Sequence, residues 1–209
     1  NGGGTWGVAY TGQWNDGVSA LAVDPLDAQT IYAATDGVLL RSTNGGYDWT
    51  PTSRDLAGHR VQNICLVTSP SQAQVLFAGG MFAGVFRSTN GGGSWAMTDA
   101  GLEVVSALAI DPRDPQVVYA GGYRGVRRST SGGADWEVVD TGLTAKPGER
   151  DWVDALAVAP SQPRRVYAAT LGGVFVATFE RDDTAVEVRP GGVPAAAGLQ
   201  SVYPNPGCS

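Results

Sequence analysis

What most constrains this chain is that it repeats itself. Val18-Ser-Ala-Leu-Ala-Val-Asp-Pro25 returns as Val105-Ser-Ala-Leu-Ala-Ile-Asp-Pro112 and as Val153-Asp-Ala-Leu-Ala-Val-Ala-Pro160. A looser copy is Asn63-Ile-Cys-Leu-Val-Thr-Ser-Pro70. The four prolines are 45, 42 and 48 residues apart, and seven residues after each comes an aromatic: Tyr32, Phe77, Tyr119 and Tyr167. The pairs Gly37-Val38, Gly84-Val85, Gly125-Val126 and Gly173-Val174 follow in register. A unit of this length cannot cover its own apolar faces, so successive units must stack.

Each unit reads as four short strands. In the first, strand A is Val18–Val23 and ends before Pro25, because proline cannot donate to the ladder. Strand B is Thr30–Thr35, strand C is Val38–Ser42, and strand D runs Trp49–Thr52. The glycines between B and C supply the positive φ of a tight hairpin. Four-stranded units at this spacing are the blades of a β-propeller. The expected fold class is therefore all-β, with about four antiparallel blades that form part of a larger propeller. The blades are placed at 17–53, 60–98, 104–140 and 152–188. Residues 1–16 would be the outer strand of a preceding or closing blade plus a loop, and 189–209 a linker and tail.

Between strands C and D lies the motif that names the repeat. It reads Ser42-Thr-Asn-Gly-Gly-Tyr-Asp-Trp49, Ser88-Thr-Asn-Gly-Gly-Gly-Ser-Trp95 and Ser129-Thr-Ser-Gly-Gly-Ala-Asp-Trp136, and Asn1–Trp6 is the tail of a further copy. The pattern resembles the Asp box, S-x-D-x-G-x-x-W, of sialidases, sortilin-type receptors, xyloglucan hydrolases and photosystem-assembly propellers. In the boxes Ser42, Asn44, Gly46, Trp49, Ser88, Asn90, Gly92, Trp95, Ser129, Ser131, Gly133 and Trp136 are assigned structural roles. A short polar side chain at the third position closes the turn on backbone N–H groups. The glycines take conformations closed to other residues, and the tryptophan is expected to be largely buried against its blade. Asn44, Asn90 and Ser131 replace the aspartate, so the turn survives without its charge. The fourth unit has no box and reads as an atypical terminal repeat.

Composition narrows the partners. With 14 basic and 20 acidic residues the net charge is −6, and no basic stripe is visible, which argues against nucleic acid. No apolar run approaches the roughly 18 residues of a membrane span, so membrane insertion is not expected. One histidine and two cysteines leave no Cys/His cluster, so neither a metal nor a cofactor is expected. Cys65 reads as a small buried residue, and its pairing with Cys208 stays open. The octet Leu199-Gln-Ser-Val-Tyr-Pro-Asn-Pro206 resembles the opening of the C-terminal sorting domain of type IX secretion, which implies a protein that is secreted or displayed on a bacterial surface.

Function is expected in the loops that the fold leaves free to vary. The D–A and B–C connections share one face, opposite the boxes. They place Trp14, Asp16, His59, Arg60, Phe82, Tyr123, Arg124, Arg150, Asp151 and Trp152 as ligand-binding candidates. Flat rings beside charges suit a polysaccharide or a protein loop, although Trp14 and Trp152 could equally cap the inner strands. The first expectation is an exported, non-catalytic binding or scaffold propeller. The second is the C-terminal part of a xyloglucanase- or sialidase-like glycoside hydrolase, and the third a structural subunit of an extracellular assembly. A hydrolase needs two carboxylates about 5 to 10 Å apart. Asp16, Asp151 and Asp154 are candidates, and nothing singles out a pair.

Overall fold

A computed structural model describes residues 4–5, 7–10, 17–35, 38–53, 56, 62–82, 84–98, 100–143, 152–160, 164–179 and 186–189, with only the backbone path at 62–63 and 186–189. Its named elements are all strands, in four antiparallel sheets that each follow chain order. The first sheet is β1 (Ala20–Asp24), β2 (Asp27–Ala34), β3 (Leu39–Ser42) and β4 (Thr50–Ser53). The second is β5 (Gln62–Thr68), β6 (Leu76–Met81), β7 (Gly84–Ser88) and β8 (Ala96–Thr98). The third is β9 (Val105–Asp111), β10 (Asp114–Gly122), β11 (Gly125–Ser129) and β12 (Glu137–Val138). The fourth is β13 (Val153–Val158), β14 (Arg164–Thr170), β15 (Gly173–Phe179) and β16 (Val186–Arg189). Leu56 alone among the described residues has helical geometry.

The strands depart from expectation at their ends. β2 begins at Asp27 instead of Thr30, because Asp24 and Asp27 pair across a register shift that tightens the hairpin. The Asp24 carboxylate accepts the Leu26 N–H at 2.9 Å, and Asp111 accepts that of Arg113 at 2.8 Å. The described residues of the N-terminal segment lie in no strand, so the outer strand expected there is not formed among them. Tyr10 rests instead against Trp49, with ring centroids 6.3 Å apart.

Stacking follows from alternation along each inner strand. Ala20 and Ala22 turn one way, into a cluster with Ile64, Leu66, Leu76 and Phe86 of the next sheet. Cys65 and Val67 meet Val105, Leu108 and Val118, and Ala107 and Ala109 meet Leu156, Val158 and Val166. Small residues on the forward side let the next sheet close in. A Cβ on Gly121 would lie 2.6 Å from Val153 Cγ1. Side chains also bond across the seams: Ser19 Oγ donates to the Ile64 carbonyl at 3.2 Å and Ser106 Oγ to the Val153 carbonyl at 2.5 Å. Cys65 Sγ lies 3.6 Å from the Val105 carbonyl, while Cys208 falls outside the described residues. The four sheets are thus the blades of a β-propeller.

The box turns are built around a serine hydroxyl. Ser88 Oγ accepts the N–H groups of Asn90 at 3.3 Å and Gly92 at 2.9 Å, and donates to Asn90 Oδ1 at 3.0 Å. Ser42 and Ser129 repeat the two backbone contacts. The third position carries the turn onward: Asn44 Oδ1 and Asn90 Oδ1 each accept a backbone N–H from four residues ahead at 2.9 Å, and Ser131 Oγ does the same. Trp49 and Trp136 donate their indole N–H to the Gly46 and Gly133 carbonyls at 2.9 and 3.2 Å. All three box tryptophans are half-buried, against the expectation of near-complete burial. Trp95 and Trp136 pack against the core clusters from the rim of their turns, and Trp49 carries Tyr10.

The turns also grip the neighbouring blade. The first box glycine donates its N–H to a glutamine carbonyl in its own blade, at Gln29, Gln74 and Gln116. The second reaches back: a Cβ on Gly92 would overlap Leu39, and one on Gly133 would lie 3.0 Å from Phe77. The strand-B aromatics Tyr32 and Phe77 are fully buried there, under Arg41 and Arg87 at 5.9 and 6.0 Å. Burial pushes the Tyr32 hydroxyl pKa upward, only partly offset by Arg41. The boxless fourth blade covers Tyr119 with Phe179, whose ring lies 5.8 Å from Tyr119 and 4.8 Å from the Arg128 guanidinium. Arg164 stands where the other blades carry their glutamine, and it pairs with the buried Asp111 of the third blade.

The seventh box position explains why a neutral side chain suits the third. Asn44 Nδ2 donates to Asp48 Oδ2 at 2.8 Å, whereas Asn90 Nδ2 donates to Ser94 Oγ at 3.0 Å. Asn44→Asp should therefore set two carboxylates face to face and cost about 1 kcal/mol, the Coulomb energy of like charges 4 Å apart in water. Asn90→Asp should be close to neutral. Urea denaturation of both variants at low and high salt checks this, with the Asn44→Asp deficit shrinking as salt rises.

Candidate functional site

Each blade is a meander, so its B–C hairpin turn and its C–D box turn lie at opposite ends of the strands. The connections entering the next inner strand return to the B–C end. Two side-chain contacts join these loops. Tyr123, in the β10–β11 turn, lies against Trp152, just before β13, with ring centroids 6.1 Å apart and planes at 43°. Arg124 in the same turn pairs with Glu103, just before β9, at 3.2 Å. One hairpin turn thus reaches both adjacent inter-blade loops.

Both pairs are accessible. Tyr123 is 44% exposed, and the Arg124 and Glu103 side chains are 43% and 68% exposed. Phe82 occupies the equivalent turn of the second blade and is 72% exposed, with φ at 64°. Arg124 has φ at 87°. A bulky residue in this left-handed region is uncommon and carries strain. Leu171, at the same repeat position in the fourth blade, is also exposed. Three consecutive blades therefore present Phe82, Tyr123 and Leu171 from equivalent turns.

Of the ten ligand-binding candidates, the structure brings Tyr123 and Trp152 together, joins Arg124 to Glu103, and leaves Phe82 open on its own turn. Trp14, Asp16, His59, Arg60, Arg150 and Asp151 lie outside the described residues. Asp154 is exposed on the inner strand β13. Sequence reasoning missed Glu103 and Leu171. Leu171 could have been found from its place two residues before Gly173, which matches Phe82 before Gly84 and Tyr123 before Gly125. Glu103 carries no repeat signal.

Chemically, the surface offers a flat ring pair beside a guanidinium and a carboxylate. Such a set stacks on the apolar face of a pyranose and bonds its hydroxyl groups. A cavity of about 30 Å³ also lies between the third and fourth blades, lined by Tyr119, Leu156, Phe175 and Phe179 among others. It has room for about one or two waters and none for a sugar ring. Among the described residues no group of three or more His, Cys, Asp or Glu side chains converges to hold a metal, and no helix is long and apolar enough to cross a membrane.

Comparison with known proteins agrees with this architecture. No family profile matches the chain. A xyloglucanase of Hypocrea jecorina (strain QM6a) is 27% identical over 143 residues, covering 57% of this chain and 16% of the relative. A xyloglucanase of a Paenibacillus species is 32% identical over 100 residues, covering 40% of this chain and 10% of the relative. The chain thus spans a small part of the curated relatives it matches. Among solved structures, the GH74 enzyme of Niastella koreensis superposes with a TM-score of 0.66 at 20% identity, over 82% of this chain and 30% of that one. The GH74 xyloglucanase of Xanthomonas campestris gives 0.60 at 19% identity, over 87% and 32%. YCF48 bound to D1 peptide gives 0.51 at 17% identity, over 82% and 55%. The chain is a β-propeller repeat protein similar to GH74 xyloglucanases, and it spans part of their length.

Proposed function

We propose that this chain supplies carbohydrate-binding blades of a glycoside hydrolase acting on xyloglucan or a related β-glucan outside the cytoplasm. The observation that carries the reading is the accessible Tyr123–Trp152 pair, set beside Arg124 and Glu103 on the face opposite the boxes. Similarity to two xyloglucanases supports the hydrolase over the non-catalytic module ranked first on sequence alone. Asp154 is a described carboxylate of this part, and an opposing acid would come from Asp16, Asp151 or another blade. Export agrees with the likeness of Leu199–Pro206 to a type IX sorting sequence.

Isothermal titration with xyloglucan oligosaccharides tests the reading. Tyr123→Ala and Trp152→Ala should each weaken binding about tenfold or more, as loss of an aromatic hot spot does. Both residues are partly exposed, so stability should change little. Unchanged affinity in both variants would sink the proposal. Release of new reducing ends by the full-length protein separates hydrolase from binding module. Binding without cleavage would restore the non-catalytic reading.

A further inference from the structure

The third blade breaks the repeat at one buried position. Opposite Ala33, Ala78 and Ala168 on the second strands stand Leu40, Phe86 and Phe175 on the third strands. Opposite Ala120 stands Arg127. The propeller asks for an apolar side chain there, and this blade instead places a guanidinium only 13% exposed. A buried cation is costly unless it is paired and bonded. Arg127 Nη1 donates to the carbonyls of Arg124 and Val126, each at 3.2 Å, and to Asp140 Oδ2 at 3.4 Å.

Those partners surround the strained turn. Arg124, at φ 87°, follows Gly122 and Tyr123 and precedes Gly125, itself at φ 91°. Any Cβ on Gly122 would overlap the Val104 carbonyl oxygen, and one on Gly125 would lie 2.7 Å from Asp140 Cβ. The turn is thus pressed against Val104 on one side and Asp140 on the other, with its central carbonyl held by Arg127. The matching glycine of the second-blade turn is less tightly packed: a Cβ on Gly84 would meet only the Leu102 carbonyl, at 3.4 Å.

We infer that Arg127 and Asp140 are positioning residues that lock the Tyr123–Arg124 turn in its left-handed shape, setting the ring and guanidinium of the sugar-binding surface before ligand arrives. This rests on the function proposed above. Preorganisation of this kind strengthens binding by removing the cost of ordering the loop.

Arg127→Leu installs the apolar side chain that the first blade carries there as Leu40, so the melting temperature should hold or rise. Amide hydrogen exchange across residues 122–125 should accelerate about tenfold, and affinity for xyloglucan oligosaccharides should fall by a similar factor. Asp140→Asn should move both readouts the same way by less, and Arg127→Lys should recover part of the loss. Unchanged exchange in the turn would overturn the inference, as would a lower melting temperature with exchange raised throughout the blade. Faster turn exchange in a protein whose wild type binds no xyloglucan would support the positioning role and count against the proposed function.

Discussion

Gly122→Ala should cost about 4 kcal/mol or more, or prevent the folded protein from accumulating, a loss at the extreme of single substitutions. Its Cβ would overlap the Val104 carbonyl oxygen, lie 2.9 Å from the carbonyl carbon and 3.1 Å from Val105 Cα. All three are backbone atoms at the entry to β9, so no rotamer change relieves the clash. Gly79→Ala is the control. Its Cβ would press on the Val105 side chain, with Cβ at 2.8 Å, and on Cys65 Sγ at 3.2 Å, side-chain atoms where Gly122 meets backbone. It should cost about 1 to 3 kcal/mol. Urea denaturation of the two variants measures the gap, and equal costs would show that the β10–β11 hairpin end is not pinned as described.

The second large effect belongs to a hydroxyl. Ser88→Ala should lose about 3 kcal/mol, because it orphans the buried Gly92 N–H and the Asn90 N–H and removes the donor to Asn90 Oδ1. Among the described residues Ser88 Oγ is the acceptor of both amides, and Gly92 is sealed against Leu39 and Thr52 of the preceding blade. Thr89→Ala, at the exposed neighbouring position, should stay within about 0.5 kcal/mol of wild type. Chemical denaturation again decides. A Ser88→Ala cost as small as that of Thr89→Ala would mean that water replaces the hydroxyl and the turn does not depend on it.

The fold was legible because repetition multiplies a weak signal. A single Val-Ser-Ala-Leu-Ala-Val stretch is compatible with a strand or a buried helical segment. Three copies and a looser fourth, each closed by a proline seven residues before an aromatic, leave a blade as the consistent reading. Local chemistry was read less completely. The third box position is the conspicuous one, because the family motif has its aspartate there, yet the hub of the turn is the serine two residues earlier. Gln29, Gln74 and Gln116 are another missed regularity. Each stands three residues before the strand-B aromatic, and arginine replaces glutamine in the one blade without a box.

The site was legible only in part, for a physical reason. A repeat alignment shows which residues sit at a loop, and Phe82, Tyr123, Arg124 and Trp152 were found that way. It does not show which loops touch, since those contacts depend on how far one blade is rotated from the next. The Tyr123–Trp152 pair crosses such a seam. Choosing between a hydrolase and a binding module meets the same obstacle: opposed carboxylates are a distance between blades, and no local pattern records it. Arg127 was within reach, because Leu40, Phe86 and Phe175 at the same position make an arginine conspicuous.

The grip of the second and third boxes on the blade before them gives the array a polarity, a tongue on one side of a unit meeting a groove on the next. Contacts of this head-to-tail kind extend indefinitely unless rotation closes them into a ring. Any whole blade copied into such a series brings its own tongue and finds a groove waiting, so the blade is the natural unit of growth by duplication. Phe179 shows that the tongue can be remade from other material. A blade can lack a box and keep its seam, provided that something apolar still fills the groove over Tyr119.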